Sequence, residues 1–154
     1  MSRINSWITA YCPNLHPNSY QITSPSTPDY NCIAWGVEED DRWWDPTDPD
    51  EYWPEGVPRE LTLAAFVQVY QAFGYAPCES FELELGFQKL AIYTKPDGQP
   101  DGQPTHVARQ LPSGRWTSKM GRLEDIEHEF NALEGFYYEA VAQILKRPVS
   151  LSRR

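Results

Sequence analysis

Residues 105–119 read Thr-His-Val-Ala-Arg-Gln-Leu-Pro-Ser-Gly-Arg-Trp-Thr-Ser-Lys and predict a β-hairpin. Apolar and polar side chains alternate on both sides of a Pro-Ser-Gly turn, which is typical of two short antiparallel strands. We therefore predict strands over residues 105–111 and 115–119. The turn fits a three-residue loop in which Gly114 takes a left-handed conformation.

The loop length decides which side chains accompany His106 on one face of this hairpin. With three residues in the loop, Ser118 and Gln110 share the face of His106, whereas a two-residue loop would bring Thr117 and Lys119 there instead. We prefer the first register. It makes Gln110 or Ser118 the candidate polar partner of His106, at a position where a catalytic imidazole needs an orienting group.

Further elements are predicted on both sides of the hairpin. A third strand is expected over residues 88–94, and a helix over 62–73 that Thr62 caps and Gly74 ends. Helical spacing predicts two more helices, over 123–133 and 137–145. A short helix that Asp29 caps would carry Cys32 in its first turn.

The chain length of 154 residues fits one domain. Within it we expect an irregular N-terminal segment (1–28), an acidic loop rich in Trp and Pro (38–59), an exposed Pro-Asp-Gly-Gln repeat (96–103) and a frayed tail (148–154). The predicted fold class is α+β, with the Cys32 helix packed on a small antiparallel sheet and two C-terminal helices.

Composition excludes several function classes. Thirteen Lys and Arg against 22 Asp and Glu give a net charge of −9, which disfavours nucleic acid and anionic membranes as partners. No apolar run is long enough to span a membrane, and the N-terminus has no apolar signal segment, so we expect a cytoplasmic protein. Three cysteines without a Cys-x-x-Cys pair predict a reducing compartment, no metal site and no cofactor.

Cys32 and His106 are the candidate nucleophile and base. A cysteine acts as a nucleophile when it is a thiolate, which the N–H groups in the first turn of a helix favour, and these groups could also receive an oxyanion. His106 lies at the start of a predicted strand, whose backbone fixes the position of the imidazole. The simpler alternative is that Cys32 is a small buried hydrophobic residue and His106 an ordinary strand-end histidine.

Acidic and Trp residues follow Cys32 closely. Asn31, Trp35, Trp43 and Trp44 are candidates for binding a substrate, although Trp residues in loops more often anchor the loop. The helical spacing predicted for 123–133 would make Asp125 and His128 a solvated pair, and the roles of Lys119 and His128 stay open.

Three motifs in order carry a resemblance to a known family. They are Asn-Cys-Ile-Ala-Trp (31–35), His-Val-Ala-Arg-Gln (106–110) and Trp-Thr-Ser-Lys-Met-Gly (116–121), with His128 after them. This pattern resembles a poorly characterised family of small bacterial proteins. More distantly, a Cys at a helix start followed by a His on a sheet is similar to papain-like and NlpC/P60-like thiol hydrolases. The resemblance implies a papain-like core with Cys32 as nucleophile and His106 as base.

Two functions from different classes follow. The first is a thiol hydrolase that cleaves a small peptide-, amide- or ester-containing substrate through Cys32 and His106. The second is a non-catalytic binding module, of the immunity or antitoxin kind or a retired hydrolase, that presents its Trp- and Asp-rich loop to a basic protein partner.

Overall fold

Within the residues that the structure describes, the fold is a seven-stranded antiparallel sheet with three short helices. The computed structural model describes residues 3–16, 19–96, 102–120, 122–130, 132–134 and 140–149. The helices are α1 (Arg3–Tyr11), α2 (Cys32–Trp35) and α3 (Leu63–Ala72). The strands are β1 (Gln21–Ser24), β2 (Ala76–Cys78), β3 (Phe87–Lys95), β4 (Gln103–Gln110), β5 (Trp116–Lys119), β6 (Asp125–His128) and β7 (Ala140–Pro148). Their order in the sheet is β1-β6-β5-β4-β3-β7-β2.

The hairpin of β4 and β5 has the preferred three-residue loop. Gln110 pairs with Trp116 and Arg109 with Thr117, while the Leu111 amide donates to the Arg115 carbonyl at 2.8 Å. Gly114 has a φ of 93°, in the left-handed region that glycine tolerates best. The predicted register is therefore confirmed, together with the strands on either side of the turn.

The helix predicted over 62–73 is confirmed as α3. The Thr62 hydroxyl accepts a hydrogen bond from the Ala65 amide at 3.2 Å, and Gly74 leaves the helix with a φ of 92°. The irregular segment predicted over 1–28 is wrong in part, because α1 and β1 lie within it. Residues 38–59 do lack regular elements, apart from one isolated bridge between Trp44 and Tyr52.

The α+β, papain-like core is wrong, and so are the two C-terminal helices. Residues 125–128 form β6 between β1 and β5, and residues 140–148 form β7 between β3 and β2. The molecule is therefore mainly β, with an extensive sheet in place of a three-stranded meander. The centre of the Pro-Asp-Gly-Gln repeat and the end of the predicted tail lie outside the described residues.

Two hydrophobic clusters cover the two faces of the sheet. On the first face, α2, α3 and the acidic loop contribute Ala34, Trp44, Trp53, Phe66 and Tyr70 against Leu90, Ile92 and Val107. On the second face, α1 contributes Ile4 and Ile8 against Ala91, Tyr93, Ala108 and Trp116. We call these the α2 face and the α1 face. Successive residues of a strand point to opposite faces, so both sides of β3 and β4 are buried.

The two edge strands are short. β1 has four residues with an irregular register next to β6, and β2 has three, with Pro77 at its centre. No helix among the described residues has the length and apolar character needed to cross a membrane.

Candidate functional site

Asn31, not Asp29, caps the helix that carries Cys32. The Asn31 side-chain oxygen accepts from the Ala34 amide at 3.3 Å, and the same side chain exchanges two hydrogen bonds with the backbone of Trp44. The buried side-chain amide of Asn31 therefore fixes both the start of α2 and the path of the acidic loop. This places Cys32 in the first turn of α2, which packs on β4 and β5.

The Cys32 thiol is enclosed by groups that favour its anion. The backbone N–H groups of Val107, Cys32 and Ile33 lower its pKa, as does the positive charge of Lys119. Burial acts more strongly and raises the pKa of the thiol to about 11, so Cys32 rests protonated near neutral pH. The thiol lies against the amide of Val107, which is the residue that follows His106.

A buried chain of hydrogen bonds links His106, Ser118 and His128. His106 Nε2 is 2.9 Å from Ser118 Oγ, which is 2.7 Å from His128 Nε2. His128 Nδ1 is 2.7 Å from the carbonyl oxygen of Glu129. Burial lowers the pKa of His106 to about 3 and of His128 to about 4, so both imidazoles are neutral at pH 7.

This chain fixes the tautomer of His106. A carbonyl oxygen only accepts, so His128 Nδ1 carries a proton and its Nε2 is an acceptor. Ser118 must then donate its single hydroxyl proton to His128 and accept from His106 Nε2. The neutral His106 consequently carries its proton on Nε2 and its lone pair on Nδ1.

The thiol and the imidazole approach β4 from different sides. The side chain of Val107 lies on the α2 face, whereas the His106 ring packs edge-on against Tyr93 towards the α1 face. The paired register of β4 and β5 ends at Arg109 and Thr117. Beyond that point the side chains of His106 and Ser118 bridge the two strands through their hydrogen bond.

Gln110 is not a partner of His106. Its side-chain nitrogen donates to the carbonyl oxygens of Phe81 and Gly114, at 3.0 and 3.3 Å. The hairpin register allowed Gln110 or Ser118 as the polar partner of His106. In the structure Ser118 is hydrogen-bonded to the imidazole, whereas Gln110 is bonded to Phe81 and Gly114.

The predicted substrate-binding residues have different surroundings. Trp44 is fully buried against Tyr52 and Phe73, which leaves no surface for a substrate. Trp43 is half-buried beneath the guanidinium of Arg122. Trp35 is half-buried, donates from its indole nitrogen to Thr117 Oγ1 at 3.0 Å, and lies under Arg109.

The sequence did not indicate a second buried polar group near Cys32. Asp125 accepts a hydrogen bond of 2.5 Å from the Tyr30 hydroxyl, and burial raises the pKa of the Asp125 carboxyl. Lys119 is fully buried and donates to the carbonyl oxygens of Thr27 and Leu123. The predicted helix over 123–133 had placed Asp125 and His128 in solvent, and their place in β6 instead buries both.

Comparisons with known proteins identify a family and no function. A family model described as a domain of unknown function (DUF7689) matches residues 21–146, so the chain belongs to this family. No curated protein and no solved structure matches the chain. Within the described residues, no group of three or more His, Cys, Asp or Glu side chains is arranged to hold a metal ion.

Proposed function

We propose that this member of a family of unknown function is a thiol hydrolase that cleaves an amide or ester bond. Cys32 Sγ attacks the carbonyl carbon, and its proton is taken up by a base and passed to the leaving nitrogen or oxygen; we assign His106 Nδ1, on the other side of β4, as that base. The sulfur–carbon bond forms as the bond to the leaving group breaks, which yields a thioester. Water then attacks the thioester and releases the acid, again with His106 as base.

One observation carries the proposal: the Cys32 sulfur sits among three backbone amides, one of which belongs to the residue next to His106. Amides so arranged stabilise a thiolate and can also receive the oxyanion that forms during acyl transfer. The hydrogen bonds through Ser118 and His128 leave a lone pair on His106 Nδ1. Ser118 and His128 are then positioning residues, since they act through His106.

The high pKa of the Cys32 thiol determines how this nucleophile is activated. A thiol with a pKa of about 11 and an imidazole with a pKa of about 3 do not form a resting ion pair. The proton therefore leaves the thiol during attack on the substrate, which is general-base catalysis. For the same reason, alkylation by a simple thiol reagent is a weaker test than acyl transfer.

The test is capture of an acyl group from p-nitrophenyl acetate, followed by mass spectrometry of the three cysteine peptides. We expect an acetyl group on Cys32, release of p-nitrophenolate, and loss of both in Cys32→Ser. His106→Asn is expected to slow acylation by about 10²–10⁴-fold, the usual contribution of a general base. Ser118→Ala is expected to slow it less, because His106 remains.

Two variants serve as matched controls. Cys78→Ser removes a half-buried thiol on β2, and His16→Asn removes an exposed histidine; both are expected to leave acylation of Cys32 unchanged. Circular dichroism verifies that each variant is folded. Acetylation that falls on Cys78, or that proceeds equally fast in folded His106→Asn, contradicts the proposal.

Binding of a basic protein partner by the acidic loop is the second candidate function. Trp44 and Trp53 are buried and hold the loop in place, while Asp40, Asp41 and Asp50 are exposed. A fixed loop presents its charges at little entropic cost, which favours association with a cationic surface.

An oligolysine peptide tests this second function by titration at low salt. We expect binding that weakens in Asp40→Asn/Asp41→Asn and persists in Cys32→Ser. Glu79→Gln/Glu82→Gln removes the same charge from an exposed segment outside the loop. Equal losses in the two double variants would mean that net charge alone attracts the peptide.

A further inference from the structure

A buried lysine lies under the start of α2, on the same face of the sheet as Cys32. Lys119 in β5 is paired with Asp125 in β6, and both side chains are fully buried. Thr117, two residues before Lys119 on β5, accepts a hydrogen bond from the Trp35 indole at 3.0 Å, so this side of β5 faces α2. Alternate residues of a strand share a face, and Lys119 therefore points towards α2 as well.

Two contacts place the Lys119 ammonium at the N-terminal end of α2. Its Nζ donates to the carbonyl oxygen of Thr27 at 2.9 Å and lies 5.1 Å from the centre of the Tyr30 ring. Both of these residues come just before Cys32 in the chain. A further hydrogen bond of 2.7 Å joins Nζ to the Leu123 carbonyl, in the turn between β5 and β6. The charge is thereby fixed at one position beside the first turn of α2.

The surroundings of Lys119 favour its charged form. Burial lowers the pKa of the ammonium, whereas the negative charges of Asp125, Cys32, Glu124 and Asp29 raise it. The carbonyl oxygens and the aromatic ring that surround Nζ also favour a cation over a neutral amine.

The Cys32 thiol responds to this charge. Burial raises the pKa of the thiol, while neighbouring backbone amides and Lys119 lower it, and Lys119 has the largest effect among the described charged side chains. Tyr70 of α3 also faces the thiol and is neutral, since burial raises the pKa of its hydroxyl well above the ordinary value. Because Cys32 rests protonated, negative charge develops on its sulfur only during a reaction. A cation that is already in place stabilises such a charge without reorganisation.

We propose that Lys119 stabilises the negative charge that develops on the Cys32 sulfur when the thiol loses its proton. Lys119 is fully buried and acts through Cys32, so it is a positioning residue and not a catalytic one. The use of this charge in acyl transfer rests on the proposed hydrolase, but the effect on the thiol can be measured without it.

The test is the rate at which iodoacetamide alkylates Cys32 in the folded chain, measured by mass spectrometry of the three cysteine peptides at about pH 8. Iodoacetamide reacts with the thiolate, so the rate reports how much thiolate forms. Lys119→Gln removes the charge and keeps two donors for the carbonyl oxygens. We expect it to slow alkylation by about three- to tenfold, because the thiolate becomes rarer and its greater nucleophilicity recovers only part of the rate.

Two further variants separate charge from packing. Lys119→Arg keeps the charge and is expected to retain most of the wild-type rate. Lys119→Met replaces the ammonium with an apolar side chain of similar length and is expected to be at least as slow as Lys119→Gln. If one of the two neutral variants does not fold, the other carries the comparison.

The pH profile gives a readout that a structural role would not change. In the wild type the alkylation rate should rise about tenfold per pH unit and then less steeply as Lys119 loses its proton, because the charge that stabilises the thiolate is then lost. In Lys119→Gln the tenfold rise should continue. A purely structural effect would lower the whole curve and leave its shape unchanged.

Lys89→Met is the matched control. Lys89 is also buried, but it lies on β3 and donates to the Ser80 carbonyl at 2.8 Å, so its loss is expected to leave alkylation of Cys32 unchanged. Circular dichroism verifies that each variant is folded. Equal rates in the wild type and the folded neutral variants, including no reaction in any of them, overturn the proposal. A rate in folded Lys119→Arg as low as in Lys119→Gln also overturns it.

The outcome is distinguishable from that of the hydrolase test. Acyl transfer from p-nitrophenyl acetate to Cys32, combined with alkylation that does not depend on Lys119, overturns this inference and supports the hydrolase. A Lys119 effect on alkylation without any acyl transfer supports this inference and contradicts the hydrolase.

Discussion

His106, Ser118 and His128 form a neutral polar chain inside the sheet. His106 Nε2, Ser118 Oγ and both ring nitrogens of His128 are hydrogen-bonded, so burial of these polar atoms is compensated. The arrangement requires both imidazoles to be neutral, because a proton added to either one turns its acceptor nitrogen into a donor. The stability of the protein should therefore depend on pH through these two residues.

The first prediction concerns this pH dependence. An unfolded histidine has a pKa near 6.5, whereas the folded values are about 3 for His106 and about 4 for His128. Below pH 6.5 only the unfolded state takes up the proton, so stability is full above pH 6.5 and falls towards pH 4. Each histidine contributes a slope of about 1.4 kcal/mol per pH unit.

Urea unfolding at several pH values between 4.5 and 6.5 checks this slope. His128→Gln keeps an acceptor for Ser118 but does not titrate, so its free energy of unfolding should fall less steeply than that of the wild type. His16→Gln changes an exposed histidine and should retain the wild-type slope. Identical slopes in His128→Gln and the wild type would contradict a neutral buried His128.

The second prediction concerns Asn31, which connects α2 to the acidic loop. Asn31→Ala removes the helix cap and both bonds to the Trp44 backbone, and should lower the free energy of unfolding by about 2–4 kcal/mol. Asn31→Asp retains the acceptor and should cost less. Asn14→Ala, which removes one exposed hydrogen bond to Glu134, should cost less than about 1 kcal/mol in the same chemical denaturation. A loss in Asn31→Ala no larger than in Asn14→Ala would contradict the role of Asn31.

The sequence predicted part of the site because the loop length of a hairpin fixes which side chains of its two strands share a face. Once the turn is assigned three residues, Ser118 must share the face of His106, and the structure agrees. His128 was missed because Ile126, Phe130 and Leu133 are spaced as on a helix, and a helix would expose His128. The amide of Val107 beside Cys32 could not be predicted, since it depends on how α2 docks on β4.

At the level of elements, local signals predicted the local structures. The capping threonine and terminal glycine identify α3, and alternation identifies β3, β4 and β5. β6 and β7 pair with strands that are distant in sequence, and this pairing overrides the helical spacing of their apolar residues. α1 did have a signal, since Ile4, Ile8 and Cys12 recur every four residues, but the prolines around it indicated a loop.

The acidic loop behaves as one element, although it has no helix or strand. Arg59 donates to the carbonyl oxygens of Asp45, Asp48 and Glu51 at 3.0–3.3 Å, and so closes the loop on itself. The indole nitrogen of Trp53 donates to the Pro58 carbonyl at 3.0 Å. A basic residue at the end of the acidic loop thus orders its backbone through three carbonyl oxygens.

The third prediction follows from Arg59. Arg59→Met removes three backbone hydrogen bonds, so amide hydrogen exchange at Thr47 and Asp50 should accelerate while that of β3 and β4 stays unchanged. Lys95→Met removes an exposed cation outside the loop and should leave the exchange of Thr47 and Asp50 as it is. Protection of these two amides in Arg59→Met equal to the wild type would contradict the role of Arg59.

At the scale of the whole molecule, one sheet is covered on both sides. α1 lies on one face, while α2, α3 and the acidic loop lie on the other, and β3 and β4 are buried between them. This explains why all five side chains of residues 89–93 are buried, including that of Lys89.

The fourth prediction tests whether α1 is part of this core. Ile8→Ala should lower the free energy of unfolding by about 2–4 kcal/mol, because it leaves a cavity against the sheet. Thr9→Ala, on the exposed side of the same helix, should change it by about 0.5 kcal/mol or less. Thermal unfolding of both variants makes the comparison, and equal effects would contradict the packing of α1.

The short outer strands have a consequence for how the protein meets other chains. A sheet of seven strands would invite another polypeptide to join its border through free backbone groups. β2 presents three residues with a proline that cannot donate, and β1 presents four residues with a distorted register. Addition of a foreign strand to β1 or β2 is thereby disfavoured. Pro77 thus gives one of the many prolines of this chain a role in limiting association with other chains, beyond the shaping of loops.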